Sequence, residues 1–181
     1  STDSVTAQGT DIGAGLETPL FHVGTAENIN DANLTTRVDT WNGASLDPVS
    51  FVGIVWSEPV PSPIVTLDLT LATFVDGGWF GVNNIGPGAG RALTPAHLLE
   101  PTIQISIDSG ATWTPVAHAS DYLTKLVGHR VGGGAVPNPS SVTATFTLNT
   151  PATNISGIRI LGTEGGTASR GFLGVFELAV R

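Results

Sequence analysis

Between Asn28 and Thr36 the chain sets six oxygen-bearing side chains, Asn28, Asn30, Asp31, Asn33, Thr35 and Thr36, although only 12% of its residues are charged. An acid among amides and hydroxyls can offer a hard cation the oxygens that calcium takes. It can equally fold back on its own backbone as a turn. A second stretch with chemical potential is DGGWFGVNNIGPGAGRALTPAHLLEP, residues 76–101. It is too rich in Gly and Pro for a strand and too long for a plain connection, so it reads as a functional loop. A third, 120–141, carries Tyr122, His129 and Arg130 without core periodicity. None of this is patterned for catalysis. The four histidines are scattered, and no nucleophile elbow, phosphate loop or paired-carboxylate arrangement is visible.

The elements that must hold these loops have a period of two. Val65, Leu67, Leu69 and Leu71 alternate with Thr66, Asp68 and Thr70; Ile103, Ile105 and Ile107 alternate with Gln104, Ser106 and Asp108. Val142, Ala144, Phe146 and Leu148 alternate with threonines. Each such strand has one face for a core and one for water, as antiparallel sheets packed face to face require. Further strands are expected over 20–24, 50–56, 112–118, 154–161 and 172–180, with a tight hairpin turn at Asp108-Ser109-Gly110. The expectation is an all-β jelly-roll sandwich of about eight antiparallel strands, with helix nearly absent.

With 181 residues, and with 23 Gly and 12 Pro dispersed as punctuation, the chain reads as one domain, residues 1–181. Its net charge of −8, with only Lys125 and six arginines against 15 acids, argues against nucleic acid or an anionic membrane as partner. No apolar run is long enough to span a bilayer. Without cysteine there are no disulfides or thiolate metal sites, and without methionine the numbering does not begin at an initiator residue. Processing or excision from a larger protein is the expectation.

Three segments, in order, carry a family resemblance. NINDANLTTRVDTW resembles the early loop of the galactose-binding-like discoidin family, which includes coagulation-factor C-type domains and many bacterial carbohydrate-binding modules. TIQISIDSGATWTPV resembles its central hairpin, and ISGIRILGTEGGTASRGFLGVFELAV its closing pair of strands. In the early loop Ala32 stands where the family has Gly, Asn33 where it has a second Asp, and Val38 where it has Trp.

The resemblance implies a jelly roll whose tip loops bind glycan, and a structural calcium held between the early loop and the last strand. The matching positions are Asp31, Asn33 and Thr36 with Glu177. The alternative is that the loop is only a turn and Glu177 faces water. For the glycan, Trp79, Phe80, Asn83, Asn84, Arg91 and His97 occupy the corresponding loop, with Arg170 a further contact. An aromatic face packs against a sugar ring while amides and guanidinium bond its hydroxyls. The alternative for Trp79 and Phe80 is a lid folded over one end of the sandwich. The function implied is a noncatalytic carbohydrate-binding module of a secreted bacterial protein, appended to a larger one. The other readings are an adhesion module that grips a protein partner through Trp79 and Phe80, and a small polysaccharide lyase or hydrolase.

Overall fold

The computed structural model describes residues 4–9, 23–41, 49–167 and 171–181. Among these residues eleven strands run in chain order: β1 (Ser4–Gly9), β2 (Val38–Asp39), β3 (Val49–Val60), β4 (Ile64–Thr73), β5 (Gly77–Phe80), β6 (Thr102–Ser106), β7 (Thr114–Val116), β8 (His118–Ser120), β9 (Ser140–Ala152), β10 (Ile155–Gly166) and β11 (Gly174–Val180). One short helix, α1 (Tyr122–Leu126), precedes β9. The strands form two antiparallel sheets, β1-β3-β10-β6-β7 with β5 also on β10, and β2-β11-β4-β9-β8. The protein is an all-β sandwich. No helix among the described residues is long and apolar enough to cross a membrane.

Register explains why the alternation works. Across the first sheet, Val52, Ile160 and Ile103 lie side by side, as do Ile54, Ile158 and Ile105. Across the second, Leu67 faces Phe146 and Leu69 faces both Ala144 and Leu178. These rows meet in one buried cluster. Burying an aliphatic or aromatic side chain contributes ~1.5–3 kcal/mol.

The period-two reading fails at four places, each for a local reason. A register shift between Ile64 and Thr66 buries Ile64 and leaves Val65 39% exposed. Ile107 lies past the end of β6 and is 74% exposed. The expected strand at 112–118 divides: Thr114–Val116 stays in the first sheet and His118 begins a strand of the second. The segment read as too glycine-rich for a strand contains β5. Gly77 leaves room for the Phe172 ring, which a Cβ there would meet at 2.5 Å. Most of the strand expected at 20–24 lies outside the described residues; Val23 bridges Asp39.

The short helix buries Tyr122 and Leu126. The Tyr122 hydroxyl donates to the Phe80 carbonyl at 2.6 Å and accepts from the Phe80 N–H at 2.8 Å, closing the free edge of β5. Burial raises its pKa well above the ordinary phenol value. On the outer face of the first sheet, the Arg159 guanidinium is stacked between Phe51 and Trp113, 4.6 and 4.4 Å from the ring centroids. Gly157 lies directly under Trp113, where a Cβ would come within 3.0 Å of the indole.

Candidate functional site

The β4–β5 turn, the stretch after β5, the segment leading into β2 and the approach to β11 come together at one end of the sandwich. Thr167 N–H bonds the Asp76 carbonyl at 3.0 Å, Asn83 bridges Gly166, and Gly78 N–H bonds the Phe172 carbonyl at 2.9 Å. A cleft of about 300 Å³ opens there. Its described lining is Val23 with two walls, each defined by chain segment: Arg37, Asp39 and Trp41 from the stretch through β2, and Phe74, Asp76 and Phe172 from the β4–β5 turn and the approach to β11.

Alternate residues of an extended segment point the same way, which is why Arg37, Asp39 and Trp41 share a wall. Gly24, at φ +78°, lets the chain pass beneath: a Cβ there would lie 2.1 Å from the Arg37 carbonyl. The Arg37 guanidinium lies 5.2 Å from the Phe74 ring centroid, and the Phe74 and Phe172 rings are 5.5 Å apart and tilted by 56°. This fixes the cation against the Phe74 ring. Arg37 Nε is buried and makes no hydrogen bond with the described residues. Trp41 is 38% exposed. The cleft combines a ring at its mouth, a guanidinium donor and two carboxylate acceptors.

The residues expected from the sequence fall elsewhere. Trp79 and Phe80 are fully buried, so neither ring offers a face to a ligand or a partner; this corrects both the platform and the interface-anchor expectations. The indole N–H of Trp79 donates to the His97 carbonyl at 3.2 Å. His97 is occupied locally, its Nδ1 accepting from the Thr94 N–H at 2.8 Å. Asn83 and Asn84 reach the cleft end, with Asn84 at φ +68° and its N–H on Asn83 Oδ1, but they do not line the cleft. Arg91 is exposed between Gly88 and Val131, outside the lining. Arg170 lies outside the described residues.

The early loop does bring its expected residues together. Asp31 accepts from Asn33 N–H at 2.9 Å and from the Thr36 hydroxyl at 2.6 Å, which lower its pKa. Glu177 accepts from Ala32 N–H at 3.0 Å. Asn33 turns inward, taking Thr35 N–H and hydroxyl on Oδ1. Burial raises the pKa of Glu177, and the Asp31 charge beside it raises it further. Two carboxylates thus sit close among oxygen donors, bonded by N–H and O–H groups and with no cationic side chain among those bonds. These bonds close the loop as a turn against β11, and among the described residues no three His, Cys, Asp or Glu side chains converge, so a cation here would draw on two carboxylates with hydroxyls and carbonyls of the loop.

No family model matches the sequence, and no curated protein matches it. Its fold has solved counterparts. The family 32 carbohydrate-binding module of Clostridium perfringens NanJ, solved with galactose, superposes with a TM-score of 0.53 at 18% identity, over 99% of this chain and 91% of that one. A second C. perfringens module, CpGH89CBM32-5, solved with GalNAc-β-1,3-galactose, gives 0.51 at 15% identity over 99% and 93%. A structure from the Streptococcus pneumoniae β-galactosidase BgaA gives 0.52 at 13% identity over 99% and 98%. Two antiparallel sheets, loops gathered at one end and these counterparts agree with the three sequence motifs: the chain has the galactose-binding-like, discoidin-type β-sandwich fold of family 32 carbohydrate-binding modules.

Proposed function

We propose that this chain is a noncatalytic carbohydrate-binding module that takes a glycan in the cleft between Arg37, Asp39, Trp41 and Asp76. The observation that carries the reading is the composition of that cleft. An exposed indole beside a guanidinium and two carboxylates suits the C–H face and vicinal hydroxyls of a sugar. Among the described lining residues two acids stand against one base, a balance that disfavours anionic sugars. Galactose and GalNAc-β-1,3-galactose, bound by the structural counterparts, are the first ligands to try.

Calcium is a structural ion in this reading. Asp31, Thr36 and Glu177 would hold it with carbonyls of the loop, and its charge would fasten the early loop to β11. In this reading the module belongs to a secreted bacterial protein and is appended to a larger polypeptide; the support is that its structural counterparts come from bacterial proteins, one of them a β-galactosidase.

Titration calorimetry with galactose, preceded by a glycan array, tests the proposal. Arg37→Ala should weaken binding at least about tenfold, equivalent to ~1.4 kcal/mol. Loss of its contact with Phe74 should also cost about 1 kcal/mol of stability, so affinity is measured well below the unfolding midpoint. No binding to any neutral glycan, or an Arg37→Ala variant that binds as the wild type does, would overturn the cleft assignment. Release of reducing sugar by the isolated chain would overturn the noncatalytic reading.

A further inference from the structure

Behind the cleft lies a buried carboxyl with no part in the proposed sugar contacts. Glu164 of β10 is 2% exposed. One of its oxygens accepts from the Thr40 hydroxyl at 2.6 Å and from the Ser50 hydroxyl. Ser50 belongs to β3 in the first sheet; Thr40 directly follows β2 in the second. The carboxyl therefore ties the two sheets at the cleft end.

Thr40 is the residue between Asp39 and Trp41, the two members of the cleft wall beside Arg37. Its Oγ1 accepts from Leu173 N–H at 2.9 Å, and its own N–H donates to the Leu173 carbonyl at 2.9 Å. Leu173 follows Phe172 on the opposite wall. A single hydroxyl links Glu164 to both walls.

We propose that Glu164 is a positioning residue for the cleft, whose buried carboxyl holds the Asp39–Trp41 wall through Thr40 and whose ionisation state sets how firmly that wall is held. Two hydroxyls converge on one carboxylate oxygen, and charge-assisted bonds of that kind are about twice as strong as neutral ones. Protonation of the other carboxyl oxygen would leave this one a neutral carbonyl and turn both bonds into the weaker kind. Ser50 has an alternative acceptor in Thr40 Oγ1, 3.2 Å away, so the network can rearrange.

The groups that face the carboxyl from β3 and from the segment after β2 are the uncharged Ser50 and Thr40. β5, whose Phe80 pairs with Glu164, has no ionisable side chain. Arg37 and Asp39 face the cleft, and Arg159 is held in the stack on the outer face. Burial, partly offset by the two hydroxyl bonds, raises the Glu164 pKa from 4.5 to about 7, with no charged neighbour among the causes. The change of state thus falls near neutrality.

The effect on sugar affinity rests on the functional reading above; the effect on the wall does not. Amide and indole NMR signals should be followed from about one pH unit below to one above the Glu164 pKa of about 7. The Leu173 amide and Trp41 indole should titrate together in the wild type, and stay still in Glu164→Gln. Ser50→Ala removes a bond that favours the anion, so it should move the midpoint to higher pH. Galactose affinity should rise about fivefold across the transition, the low end of measured couplings between sites, and be flat in Glu164→Gln. Signals that do not titrate, or that titrate identically in Glu164→Gln, overturn the proposal. Signals that titrate in a protein that binds no neutral glycan at any pH support the positioning role, and sink the sugar reading instead.

Discussion

Trp79→Ala separates a core tryptophan from a sugar platform. The ring is fully buried, and the chain is shaped around it: a Cβ at Gly165 would lie 2.1 Å from the indole nitrogen, and one at Gly81 would lie 2.8 Å away. Removing a buried aromatic costs ~3–5 kcal/mol through lost transfer energy and the cavity left behind. The His97 carbonyl also loses its donor, a further cost of about 1 kcal/mol. Taking ~4 kcal/mol at about 2–4 °C per kcal/mol for a domain of this size, the melting point should fall by ~8–16 °C. Calorimetry or circular dichroism reads it. Gly165→Ala should itself destabilise, because its methyl meets the indole. In a double-mutant cycle the two changes should couple, the second costing less once the ring is gone. A Trp79→Ala protein whose midpoint stays within about 2 °C of wild type, yet has lost galactose binding, would refute this reasoning and restore the ring as a platform.

Glu164 makes stability depend on pH. Its folded pKa of about 7 stands above the ordinary 4.5, so between those values the native state holds more protons than the unfolded one, and stability falls as pH rises. The loss amounts to at most ~3 kcal/mol, is complete above pH 7, and should be absent in Glu164→Gln, measured by urea unfolding at pH 5 and pH 8. Saturating calcium at about 100 times its dissociation constant should add ~2.7 kcal/mol to folding. Glu177→Gln should abolish the corresponding shift in melting point, and an unchanged melting point with calcium or chelator would remove the ion from the account. Arg159→Ala should cost ~2–3 kcal/mol, by loss of two cation–π contacts and of the 2.7 Å bond from Nε to Gln104. Arg159→Lys should not restore it, since an ammonium cannot stack as a plane between Phe51 and Trp113.

Period-two alternation sufficed to identify most of the sheet, because side-chain direction along a strand is a local property of the backbone. It named Leu67, Leu69, Ala144 and Phe146 as one face and Ile103 as part of another, and all are buried. It could not place β5. Trp79 and Phe80 are neighbours in sequence and should point to opposite sides, yet both are buried. One side of β5 meets the core through Phe80 and Tyr122, while the other is covered by the chain at His97 and Gly165. A strand buried on both faces has no polar side to reveal it.

The early loop was legible for a related reason. Asp31, Asn33 and Thr36 interact over short chain separations, so their types and spacing already set their turn. Only the arrival of Glu177 needed the fold. The cleft is the opposite case. Arg37, Asp39 and Trp41 had a visible signal in their alternate spacing, but Phe74, Asp76 and Phe172 come from distant parts of the chain. Strand order in two sheets brings them together. The same holds for Glu164, whose partners Thr40 and Ser50 belong to different sheets. Local sequence sets which way a side chain points along its own strand; what it points at depends on long-range pairing, and that is where the cleft and its buried carboxyl arise.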